Sequence, residues 1–451
     1  VHHNNRKYIN QVISMNAIES AVQLPARIEA WWDKQDTRAF PAEVAERMRQ
    51  SFDFFKTNGF PHAKMEDWKY TDIRKIIDFP YAWPVKSESH LDQAAFETLP
   101  LADLADTYRL VFVNGYLEQE LSILPSEGNN FTVTHLGDTA SAGAHYEAHM
   151  GDIVLTESGF TALNTALHTD GVLIHIPAGA VVDKPVLVYY VALTEDDLYL
   201  IQPRNIVIAE KGSHVKLAEI FVSRGNEPSL TNIVTEIKVG EGANLDYSRL
   251  QLEGSRNFHV GFTGITQQRD SRIDTHVLSL GGAFVRNNLH FKLEGSGSSS
   301  IMNGLYLLKN EQFLDNHTRV DHAVPGCVSD QLYKGILKDK STGVFNGKII
   351  VHPDAQKTNA YQRNVNVLLS DEATINTKPQ LEIFADDVRC THGATAGFID
   401  EEAIFYLQAR GISESEARIM LMNAFANEVI DKLNVSALQD PLREYVAQQL
   451  L

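Results

Sequence analysis

Cysteine is nearly absent. Cys327 and Cys390 are the only two in 451 residues. A secreted disulfide framework needs more, so the chain reads as a protein of a reducing compartment with free thiols. The ordinary role of such a thiol is that of a small buried hydrophobe. Long apolar runs are also missing. No stretch approaches the roughly 18 apolar residues that span a bilayer. Clustered cations are missing too. There are 40 Lys plus Arg against 58 Asp plus Glu, a net charge of −18. Without a basic run, neither nucleic acid nor an anionic membrane is an expected partner.

Catalytic signatures are lacking as well. There is no Gly-x-Ser-x-Gly, His-Glu-x-x-His or Gly-x-Gly-x-x-Gly. The segment Gly343-Val344-Phe345-Asn346-Gly347-Lys348 imitates a phosphate-binding loop. It has three residues between its glycines instead of four, and Ile349 replaces the Ser or Thr that would hold Mg²⁺. It also lies between strand-like runs and opens no helix.

What is present is an ordinary globular composition, 43% apolar and 22% charged, with ample chain for a large core. The beginning, Val1-His2-His3-Asn4-Asn5, is polar, and the first methionine is Met15. Residues 1–14 are expected to be a disordered tag or extension. They lack the apolar core of a secretory signal, which points to the cytoplasm.

Residues 15–104 read as a helical region. Val44, Met48, Phe52 and Phe55 recur at three to four, Pro41 suits a first helical position, and Gly59 suits the stop. Residues 64–72 form an aromatic and charged link, and 81–104 a loop-rich boundary. From about 105 to 397 short alternating strands take over, such as Leu110–Val113, Val172–Ile176, Val186–Tyr190 and Asn205–Ile208. Small polar turns centre on Gly179, Gly212, Gly242, Ser271 and Gly297, a loose repeat near 30 residues. That repeat predicts stacked coils of a solenoid. A single sandwich would usually complete within about 100 residues, and two in tandem are the alternative. Residues 398–451 turn helical again. Asp400 caps a helix that Gly411 stops, and Ser413 and Glu416 have capping-box spacing. Behind them Ile419, Met422, Ala426, Val429 and Leu433 form an apolar stripe.

Seventeen histidines raise the question of metal chemistry. His317, His322 and Cys327 are spaced by five, which is no known tight chelate, and packing explains them equally well. Cys390 and His392 are more suggestive. On a strand, residues two apart point to one side, which sets a thiol beside an imidazole. Asp386 and Asp387 lie close enough in sequence to influence their protonation. A cluster usually takes four ligands, so two would be half of a site completed by another chain.

The run from Gln331 to Arg410 resembles the SufB/SufD family of the Suf iron–sulfur cluster assembly system, on its SufD branch. The likeness lies in Gln331-Leu332-Tyr333-Lys334-Gly335, Val344-Phe345-Asn346-Gly347, Ala355-Gln356-Lys357-Thr358, Leu381–Val388, Cys390-Thr391-His392-Gly393-Ala394-Thr395 and Phe405–Gly411. Upstream, Glu66-Asp67-Trp68-Lys69-Tyr70-Thr71 and Phe160-Thr161-Ala162-Leu163-Asn164 fit as well. The SufB branch would carry more cysteines. Thr391 departs from the serine expected there.

The resemblance implies a mainly β fold: a right-handed parallel β-helix between helical ends. It implies a scaffold without turnover of its own, pairing with a SufB-like paralogue. It also implies a SufC-like ATPase held by the C-terminal helices, around Asp400, Glu402, Phe405, Tyr406 and Arg410. His392, and with it Cys390, would meet iron or a nascent cluster in passing, with no cofactor bound stably to the chain alone. A bare β-helix end also predicts homodimers when the chain is alone. A purely structural partner that never touches iron remains open. A carbohydrate-active β-helix enzyme would need acids or Ca²⁺ ligands repeated on successive coils, and none are seen.

Overall fold

The computed structural model describes residues 23–102, 104–125, 130–195 and 197–450. The first fourteen residues, read as an extension, lie outside them, as do residues 15–22 of the region read as helical.

Consecutive strands alternate between two largely parallel sheets, each of ten strands among the described residues. Phe258 pairs with Phe284, 26 positions on, and Gly171 with Arg204, 33 positions on. Each coil therefore contributes one strand to each sheet, and the fold is a parallel β-helix. The turns stack as the strands do. Gly179 donates to Lys211 O, Gly212 to Glu241 O and Gly242 to Arg269 O, at 2.8, 2.8 and 2.9 Å. Gly179, Gly212 and Gly242 hold φ of 73°, 67° and 65°. That left-handed corner is what glycine supplies without steric cost. Asp270 takes the same corner at φ 55°.

The space between the sheets is apolar over most coils, with Val188, Leu217, Ile237, Leu245 and Ile265 fully buried. Polar groups interrupt it. Glu219 accepts from Asn205, Thr235, Tyr247 and Arg249, all buried. A buried charge pair is tolerable only when every lone pair is satisfied, as here.

Helices cover both outer faces. Met422, Ala426 and Val429 of the helix Glu414–Ile430 pack against Leu250, Leu278, Leu305 and Ile336 of one sheet. Each buried Met, Val, Leu or Ile side chain contributes about 1.5–3 kcal/mol, and Ala426 less. The Ser413–Glu416 capping box starts this helix, and Asp400 caps the helix Glu401–Gln408 before it. The last segment forms a third helix, Gln439–Leu450.

On the other sheet, the helix Ala42–Asn58 buries Phe52 and Phe55. Pro41 is its N-cap residue, one position outside the helix, and Gly59 ends it at φ 64°. The link after it is locked down. Trp68 is buried, with the Arg286 guanidinium 4.0 Å from its ring, and Thr71 donates to Asp315, which also pairs with Arg286. Burial opposes the Asp315 charge, but Arg286 and His317 outweigh it and hold the carboxyl down at about 2.

Two helices, Thr139–His149 and Gly159–Leu167, interrupt the region read as strands. Every residue of the second is buried, so it shows no polar face to betray its period. Asn164 donates to Pro203 O and Asn232 O, both at 2.8 Å. Beside it Arg204 and Glu236 form a buried pair at 2.5 Å. The boundary segment also hides a short helix, Gln93–Glu97, with Phe96 buried against Tyr189.

Candidate functional site

The coils end abruptly. The strand Arg389–Gly397 closes one sheet and Thr374–Ile383 closes the other, and each pairs on one side only. Most of Arg389–Gly397 is exposed, whereas the strand Val186–Thr194 nearer the chain start is almost wholly buried. Arg389 N donates to Thr358 O. In a parallel ladder the odd-numbered amides from 389 onward therefore face the inner neighbour, and those of Cys390, His392, Ala394 and Ala396 face the open edge. Apolar side chains surround that edge: Phe384 is 62% exposed and Phe398 65%.

Cys390 and His392 both sit on this last strand, paired with Ala360 and Gln362. Cys390 is half-buried and packs against the interior. Its thiol is pushed up by burial, opposed in part by the Ala360 amide. Asp386 and Asp387 do not enter that balance; Asp387 pairs instead with Lys357. His392, two positions on, lies on the same side of the strand and is exposed.

Beneath His392 runs a polar stack. Gln362 donates to Gln331 Oε1, and Gln331 to Thr318 Oγ1, both at 2.8 Å. The Oε1 atom of Gln362 is buried without a partner. A buried acceptor left unmatched is costly, and this one lies at the register position of His392. The last coil thus offers one thiol, one imidazole and a polar floor. Among the described residues no three His, Cys, Asp or Glu side chains are grouped to hold a metal ion. Two donors on an open edge are at most part of a metal site.

The other candidates do not converge. His317 and His322 stand on opposite faces of the strand Phe313–His322, because five is an odd spacing. His317 faces outward and meets Asp315 at 3.0 Å, while His322 faces inward to Ser329 at 2.9 Å. Burial holds His322 down at about 4. Cys327 is buried, 3.2 Å from Ser298 Oγ. The P-loop imitation lies inside the strand Thr342–Val351 and not in a loop that opens a helix.

The C-terminal candidates share one short helix. Asp400 spends its carboxylate on the Glu402 and Ala403 amides. Ile404 is buried, whereas Phe405 and Tyr406 are 72% and 58% exposed. Arg410 reaches back to Tyr406, donating to its hydroxyl at 2.8 Å. Glu402 is exposed. An aromatic pair held outward by a capped helix has the composition of a docking surface. No described helix is long and apolar enough to cross a membrane.

Comparison with known proteins gives this arrangement its context. Residues 34–188 match the family model described as the SufBD protein N-terminal region. Residues 191–425 match the SufBD core domain of the SUF system for FeS cluster assembly. An iron–sulfur cluster assembly SufBD family protein of Synechocystis is 34% identical over 86% of this chain and 87% of its own. The iron–sulfur cluster assembly protein SufD of Escherichia coli is 30% identical over 91% of this chain and 95% of its own. Its Bacillus subtilis namesake is 26% identical over 86% and 89%. The chain belongs to the SufBD family of iron–sulfur cluster assembly proteins.

Proposed function

We propose that the chain is a SufD-type scaffold subunit with no turnover of its own, working in the cytoplasm. Its open β-helix end docks a SufB-like paralogue, and the helices after Phe398 hold a SufC-like ATPase. Iron, or a nascent cluster, is the cargo and meets His392 at the shared end. The observation that carries this reading is the unpaired last strand bearing both Cys390 and His392. Strand addition to such an edge is a common recognition mode. Without the paralogue, two copies meet through the same edge.

His392 is the stronger ligand of the two. It is exposed, whereas the Cys390 thiol is raised by burial and resists the deprotonation that ligation needs. The aromatic pair Phe405 and Tyr406 supports the ATPase assignment.

An edge proline separates docking from folding. Ala394→Pro removes an amide that faces outward and spares the inner ladder. The variant is expected to melt like the wild type yet fail to co-purify with the SufB-like paralogue. Undiminished co-purification would refute docking at this edge.

A further inference from the structure

The helix Thr139–His149 kinks at Gly143 and sits on the outer face of a sheet far from the open end. Tyr146 and Met150 anchor it against Leu173 and Ile206. That anchoring leaves His145 and His149, four apart, as neighbours along one flank. Their rings lie 6.1 Å apart, tilted by 17°. The strand Gly171–Ile176 turns Val172, Ile174 and Ile176 inward, so His175 points out towards the helix. Its ring is 4.0 Å from that of His145. His145 therefore has a second imidazole on either side, His149 along the helix and His175 across on the strand.

Two further features mark this trio. His175 Nε2 meets Glu210 Oε1 at 2.9 Å, and the other Glu210 oxygen accepts from Ala178 N at 3.0 Å. The carboxylate thus holds the Nε2–H tautomer and leaves the Nδ1 lone pair available, the arrangement seen behind metal-binding histidines. Separately, Nδ1 of His149 is buried without a hydrogen-bond partner. The nearby Lys238 is paired with Asp152, which offsets part of its charge at His149.

We propose that His145, His149 and His175 bind one divalent first-row transition metal ion, with Glu210 orienting His175. An imidazole donor set favours such ions over Ca²⁺ or Mg²⁺. With metal–nitrogen bonds of about 2.0–2.1 Å, two ligands of one ion have ring centres within roughly 6 Å. The His145–His175 separation lies inside that limit and the His145–His149 separation just outside it. As the rings stand no three donors meet at one point, so side-chain rotation closes the site. The ion staples the helix to the β-helix.

The test uses the full chain, stripped with a chelator and titrated with Co²⁺, whose visible absorption reports coordination. One Co²⁺ per chain is expected, displaced by Zn²⁺. His145→Ala and His149→Ala abolish the signal, Glu210→Gln weakens binding ten- to hundredfold, and replacement of the exposed His62 by alanine (His62→Ala) changes nothing. Thermal melting without metal verifies that each variant folds; His145→Asn replaces any that does not. Absence of the Co²⁺ signal, its survival in a His145→Ala, His149→Ala double variant, or its loss in His62→Ala would each overturn the proposal.

Discussion

The two ends of the β-helix are built to opposite rules. The first coils are covered on both faces, and their charged groups are buried in matched pairs, such as Arg204 with Glu236. The last coil is bare. Arg389–Gly397 is exposed along most of its length, and its nearby ion pair, Lys357 with Asp387, lies in solvent. Under the proposed function, this contrast puts stability at one end and recognition at the other. A covered edge cannot accept another chain, and an uncovered one adds little to its own fold.

Breaking a buried pair should give the largest effect. Arg204→Ala strands the Glu236 carboxylate, which also accepts from the Gly151, Ile153 and Val154 amides. A loss of about 3–5 kcal/mol is expected in denaturant unfolding. The covered coils should also set the response to acid. Burial holds His168 and His276 down at about 4, against an ordinary value near 6.5. The unfolded chain takes up protons between those values and the folded chain does not. Stability is therefore complete above about pH 6.5 and falls as pH drops towards 4, by on the order of 2–3 kcal/mol per histidine. Melting curves over that range check it, and His168→Gln should remove its share of the slope.

At the exposed end the effects move from folding to binding. Phe405→Ala with Tyr406→Ala should weaken the ATPase by about 2 kcal/mol or more in a titration, as lost aromatic anchors do, and leave the melting temperature in place. Smallest of all, Lys357→Ala breaks a pair that is mostly in water and should cost at most about 1 kcal/mol. A large loss there would blur the contrast between the ends.

The same contrast governs what the sequence discloses. The turns were legible because a left-handed corner on successive coils falls to Gly179, Gly212, Gly242 and Gly297, with Asp270 between them. The C-terminal helices were legible because caps and a one-sided stripe mark them. Gly159–Leu167 was not, since a helix buried all round has no polar face. The polar contents of the interior escaped as well. Glu219 and Arg249 are 30 positions apart and meet only once coils stack. At the candidate site, spacing alone set Cys390 and His392 on one side of a strand and the family likeness supplied the role proposed for them, while the free edge beside them depends on where pairing stops. The His145, His149 and His175 group had half a signal, the i, i+4 pair, and its third member arrives through the fold.

The central claim is that the bare end is half of a cluster site. Its most direct measurement is the iron and sulfide content of the purified complex with the SufB-like and SufC-like subunits, wild type beside His392→Ala, at equal stoichiometry. A clear drop in both iron and sulfide with the complex intact is predicted. Equal content in the two complexes would contradict the account and leave the chain a structural partner.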